Sequence, residues 1–193
     1  MAIKNLEELV KSIDQINAEY ILSDKYIQRR YQSYLRWKNR DKSVVYTVRQ
    51  SGKSDNDIDE TCERIAVDIL QELEEEIRQY NEYHLTPANA KVGDGATVYL
   101  YSDSHAGTIV KVTKCSVTVR RDKATLDPNF KPDIIPGGFC GHCINQDEQS
   151  YTYEPDENGT LTTVYWSKKY NQYGLPGNLR LGKGRHEFFD YNF

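Results

Sequence analysis

The stretch IDETCERIAVDILQELEEEIRQY, residues 58–80, decides how the rest of the chain is read. Its apolar residues Ile58, Cys62, Ile65, Ile69, Leu73, Ile77 and Tyr80 advance by three or four each time, which places them in one stripe along a long helix. From Asp55 to Glu82 there are eleven acids against two bases, Arg64 and Arg78, so the opposite side of that helix is strongly acidic. A stripe of this length needs cover, from preceding helices or from a second copy of the chain, and a homodimer is one expectation.

Upstream, Leu6, Leu9, Val10, Ile13, Ile16 and Tyr20 recur at helical spacing, with Asn5 placed to cap the first turn. A second helix is expected over residues 24–43 within SDKYIQRRYQSYLRWKNRDK, where seven Lys and Arg face only Asp24 and Asp41. VVYTVRQ, residues 44–50, is β-branched and reads as a short strand, and SGKSDND as a turn. SGKS does not make a phosphate-binding loop, because Thr47 stands where that motif needs its first glycine.

After TPANAKVGDG (86–95) the period changes from helical to alternating. ATVYLY, GTIVKVT, SVTVRR, QSYTYEP, TLTTVYW, NLRL and HEFFDY read as strands separated by Gly, Asp, Asn and Pro. The expected fold class is therefore α+β: a helical module over residues 1–86 with a long acidic helix, then a small antiparallel SH3-like β-barrel over 87–193. A long inserted loop is expected from Leu126 to Gln149. Charge divides at the same place, with 13 basic and 17 acidic residues up to position 86 and 12 of each beyond it. The N-terminus lacks the apolar run of a signal peptide, and no stretch is apolar over the roughly 20 residues that span a bilayer, so a cytoplasmic protein without membrane contact is expected.

Four motifs bear on function. CGHC at 140–143 matches the redox pair of disulfide isomerases over four letters only; PGG before it and INQDEQ after it supply no helix to activate the first thiol. The same turn offers half a zinc site, with Cys140 and Cys143 as ligands and His142 and Cys115 completing the set, His105 and His186 lying in the same half of the chain. Helix 24–43 interleaves Tyr26, Tyr31, Tyr34 and Trp37 with its bases, the composition of a nucleic-acid surface carried by Arg29, Arg30, Arg36, Lys38 and Trp37, unless the acidic helix neutralises it. SDSHAG places Asp103 and His105 in a predicted turn, and RRDK places Arg120 and Arg121 at a strand end, without a recognisable nucleophile nearby.

GDGATVYLYSDSHAGTIVKV, TVRRDKAT, QSYTYEPDENG and GRHEFFDYNF together resemble a family of small proteins carried by bacteriophages and integrated mobile elements. The resemblance covers most of residues 92–193 and implies a phage-borne accessory protein acting inside the host cell. Its leading implied function is inhibition of a host defence nuclease by stoichiometric binding, of the anti-CRISPR kind, with a host protein or ribonucleoprotein nuclease complex as partner. Asp68, Glu72, Glu75 and Glu76 on the acidic helix would imitate a phosphate backbone. Tyr99, Tyr101, Asp103, His105, Arg120 and Arg121 would supply contacts from the barrel. Nucleic-acid binding through helix 24–43 is the alternative, and thiol oxidoreduction through CGHC a further one.

Overall fold

The structure, a computed structural model, describes residues 5–137 and 141–192. The chain forms two compact units, Met1–Glu82 and Tyr83–Phe193.

The first unit is built from five helices: α1 (Leu6–Ile13), α2 (Ala18–Ser23), α3 (Lys25–Lys38), α4 (Lys42–Gln50) and α5 (Asp55–Tyr83). Asn5 caps α1, its side chain accepting the Glu8 N–H at 2.8 Å. The single helix expected from Leu6 to Tyr20 is instead two. Asp14 accepts the backbone N–H groups of Ile16 and Asn17 at 3.0 Å, and the Asn17 side chain donates to Asp14 and, at 2.8 Å, to Asn81 on α5. Short polar side chains that satisfy the backbone locally compete with the helix, and here they break it without breaking the apolar period.

The second correction is residues 44–50, which are helical and not a strand. Asp41 caps α4 by accepting the Ser43 N–H at 2.9 Å, and Val44 and Val48, one turn apart, are buried together with Ile58 and Cys62. The cap and the four-residue spacing outweigh the weak β preference of valine. Asp24 caps α3 through the Tyr26 and Ile27 N–H groups.

α5 buries Ile58, Cys62, Ala66, Ile69, Leu73, Ile77 and Tyr80. The stripe follows the sequence pattern except that Ala66 takes the fully buried place expected for Ile65. Leu9, Val10, Ile21, Ile27, Tyr31 and Tyr34 cover its C-terminal part, and α4 covers the start, so the stripe is packed within one chain. Each fully buried aliphatic side chain here contributes roughly 1.5–3 kcal/mol. Among the described residues no helix is long and apolar enough to cross a membrane.

The second unit contains β1 (Gly95–Tyr99), β2 (Ser104–Val112), β3 (Ser116–Arg121), β4 (Lys123–Leu126), β5 (Ile134–Ile135), β6 (His142–Cys143), β7 (Tyr151–Glu154), β8 (Leu161–Ser167), β9 (Gln172–Tyr173) and β10 (Arg180–Lys183). Six strands form one antiparallel sheet in the order β10-β1-β2-β3-β8-β9. Alternation puts Ala96, Val98, Ile109, Val117, Val119, Val164, Tyr173 and Leu181 into its core. Where the sequence suggested a closed barrel, the strands form an open sheet whose two edge strands are joined by a hairpin and meet at one isolated bridge, Gly174–Arg180.

The expected inserted loop is partly organised. β4 pairs with β7, β5 pairs with β6, and a short 3-10 turn occupies Gln146–Glu148. HEFFDY, expected as a strand, instead runs beside β2 with a single bridge, Ser104–Phe188.

Candidate functional site

Helical periodicity sorts the cations of the α3 region into two sets. Arg30 bonds Glu72 and lies 3.7 Å from Glu76; Lys38 pairs with Glu63 at 2.8 Å, and Arg40, just past the helix, with Asp59 at 2.6 Å. Tyr26 donates its hydroxyl proton to Glu76 at 3.0 Å. The Glu63 hydrogen bond, then its charge, raises the Lys38 pKa, and the same bond lowers that of Glu63. Solvent screens these exposed pairs, so they select the register of α3 on α5 more than they stabilise it.

The other set is Lys25, Arg29 and Arg36, which share an arc of about 100° with Gln28 and Gln32. All five are exposed, and the arc lies opposite the buried Ile27 and Tyr34. Among the described residues none of the three cations makes an ion pair. With Asn5, Leu6 and Tyr31 they line an open cavity of about 750 Å³. Acids border this face at both ends: Asp24, which caps α3 just before Lys25, and Asp41, which feels the Arg36 charge. The Asp41 carboxyl is held low chiefly by Ser43 and only slightly by Arg36. A surface of this kind attracts an anion with several charges in a row. Arg29 and Arg36 were expected in a nucleic-acid surface; Arg30 and Lys38, expected beside them, are spent on α5, and the half-buried Trp37 packs against the core. Lys25 and Gln32 join the surface only once the arc is drawn.

The expected acidic surface is reduced by the same pairing. Glu72 and Glu76 serve Arg30, and Glu75 lies 3.5 Å from Arg78. Asp68 is exposed and makes no ion pair among the described residues.

In the second unit, His105 lies on strand β2, not in a turn, and does not meet Asp103. Asp103 accepts the Asp190 N–H at 2.9 Å. His105 Nδ1 is 3.1 Å from Oε1 of Glu187, a residue the sequence reading did not single out. The same oxygen accepts Arg121 Nη2 at 2.9 Å, and Glu187 Oε2 accepts the Ala106 N–H at 2.7 Å. Beside this cluster is a cavity of about 130 Å³ lined by Val98, His105, Ala106, Val119, Arg121, Thr160 and Thr162. One residue pair along, Arg185 donates to Asp122 at 2.7 Å and to Thr108 at 2.8 Å. The arrangement buckles the C-terminal segment onto β2, with every acceptor oxygen of Glu187 already engaged. Nothing in the local pattern of RHEFFDY marks Glu187 for this role, because its partners are 66 to 82 residues away.

Arg120 pairs across the sheet with Thr108 and Leu161. The Arg180 guanidinium lies over the Tyr99 ring, 4.8 Å from its centroid, and Tyr101 is 79% exposed in the turn after β1. Of the expected zinc ligands, Cys140 lies outside the described residues. Cys143 is buried in β6, its thiol donating to Asn145 at 3.4 Å; His142 is exposed beside it, and Cys115 is exposed in the turn between β2 and β3. Among the described residues no three His, Cys, Asp or Glu side chains are gathered to hold a metal. No family model, curated protein or solved structure matches the chain.

Proposed function

We propose that the protein is a binding module whose helical unit holds a polyanion, with nucleic acid as the chemical class, on the Lys25–Arg29–Arg36 face of α3. The observation that carries this reading is the division of the α3 cations. Those facing α5 are paired with Glu63, Glu72, Glu76 and Asp59, whereas among the described residues the outward three make no ion pair, and the carboxylates near the ends of the helix, Asp24 and Asp41, are engaged in capping α3 and α4. Three cations along one stripe that make no ion pair within the fold gain from binding phosphates, because they displace the counterions condensed on a nucleic acid.

The test is a mobility shift with sheared duplex DNA and total RNA at about 50 mM salt, comparing the parent with the triple variant Lys25→Gln, Arg29→Gln, Arg36→Gln. All three side chains are exposed, so the variant keeps its fold, checked by circular dichroism. Retarded parent and unretarded variant support the reading; no retardation of the parent, or equal retardation of both, rejects it.

A second reading, a phage-borne inhibitor that binds a host nuclease complex, draws on a different surface. Leu161 and Tyr165 on β8 and Tyr101 after β1 are 57%, 65% and 79% exposed, the kind of apolar and aromatic side chains that anchor protein partners. Capture of nuclease subunits from a host extract treated to remove nucleic acid supports it, and capture that vanishes with the nucleic acid retires it.

A further inference from the structure

Resting on the polyanion reading, we infer that α3 enters the major groove of B-form duplex DNA and reads base edges with Arg29 and Gln32, while Lys25 and Arg36 hold the flanking phosphates. Residues 25, 29, 32 and 36 are spaced four, three and four apart, so their side chains project from one line on the outer side of the helix. At 1.5 Å per residue, the Cα atoms of Lys25 and Arg36 are about 16 Å apart. The major groove is about 12 Å wide and admits a helix, so the long end side chains reach its phosphate walls while the central pair faces the floor.

The side-chain chemistry selects the duplex. Arg donates two parallel bonds to guanine O6 and N7, and Gln exchanges two with adenine N6 and N7. Gln28 is already committed, its amide donating to the Leu22 carbonyl at 2.7 Å, which leaves Gln32 as the reader. A single strand would instead be held by stacking on exposed aromatic rings. The ring that borders this face, Tyr31, is buried against Tyr34, and Tyr26, which is exposed, is bonded to Glu76 on the α5 side. A-form RNA presents a major groove too narrow for side chains to read.

The experiment uses the full chain and a pool of duplexes carrying a randomised core of about 10 base pairs, with selection followed by sequencing. Single strands of the same length and an RNA duplex are titrated beside the selected DNA by fluorescence anisotropy. The expected result is an enriched core containing guanine and adenine, and at least tenfold tighter binding to duplex DNA than to either competitor. With two phosphates neutralised, affinity falls about 12-fold between 50 and 200 mM salt, from a slope of about −1.8 in log–log form. Lys25→Gln or Arg36→Gln should weaken all sequences alike and reduce that slope by about 0.9 each. Arg29→Gln or Gln32→Ala should broaden the enriched core.

Absence of enrichment, or single strands or RNA bound as tightly as duplex DNA, overturns the groove-reading inference while leaving polyanion binding intact. Failure of every nucleic acid to bind at about 50 mM salt overturns both.

Discussion

The Glu187 cluster makes a quantitative demand on stability. Glu187→Ala removes the acceptor of three hydrogen bonds at 2.7, 2.9 and 3.1 Å. The Ala106 N–H is buried and would be left without its partner, which costs about 1–3 kcal/mol. Arg121 is half-exposed, so its pair adds at most about 1 kcal/mol. Loss of the His105 bond and loosening of the C-terminal segment bring the expected cost to about 3 kcal/mol. Each unit has one tryptophan, Trp37 in the first and Trp166 in the second, where it packs edge-on against Tyr173 at 5.1 Å. In a Trp37→Phe background, urea unfolding followed by Trp166 fluorescence therefore reports on the second unit alone. With a denaturant slope of about 1.5 kcal/mol/M, the midpoint should fall by about 2 M. Glu187→Gln keeps an oxygen for the Ala106 N–H but puts an amide NH2 where Oε1 accepts from Arg121 and meets His105, so its midpoint should fall by less than that of Glu187→Ala. A Glu187→Ala midpoint within about 0.5 M of the parent would refute the view that this carboxylate fastens the tail.

Further outcomes follow from the same packing. Leu73→Ala empties the centre of the helical core, where Leu73 is fully buried, and should cost about 3 kcal/mol, read from Trp37 fluorescence in a Trp166→Phe background. Gly107→Ala should destabilise the sheet by about 1–3 kcal/mol, because the added methyl would sit 2.5 Å from the Val119 side chain and 2.6 Å from the Arg120 carbonyl oxygen; an unchanged Trp166 midpoint would contradict this. The Asp41 carboxyl is held below its ordinary range chiefly by the Ser43 N–H, and that of Asp57 chiefly by the Ser54 hydroxyl. Carboxylates with depressed folded pKa values stabilise fully above their unfolded pKa and cease to do so as pH falls through the folded value. The thermal midpoint of the helical circular dichroism signal should therefore hold from pH 7 to 5 and drop below about pH 4; a midpoint at pH 3 equal to that at pH 7 would contradict the assignment.

The features legible in the chain were those decided within a few residues. The α5 stripe, the caps at Asn5 and Asp24, and the strands β1, β2, β3 and β8 all follow from short-range period and side-chain chemistry. Residues 44–50 carry a β-branched run that signals strand, whereas the neighbouring Asp41 cap and the partners Ile58 and Cys62 make them a helix. The break at Asp14–Asn17 was hidden because both halves lay their apolar residues on the same helix, and its polar fastening includes Asn81, 64 residues away.

Residue order alone is enough to show that the chain has a helical part and a β part, where one period yields to the other, and that α3 is rich in cations. Which of those cations are paired is settled by packing. Packing α3 against α5 turns Arg30, Lys38 and Arg40 into internal counter-charges and leaves Lys25, Arg29 and Arg36 facing water. It likewise brings Glu187 to His105 and Arg121. Charge composition is a property of the chain, but whether a charge is spent or available depends on what lies within a few ångströms, and distant segments supply that only after folding.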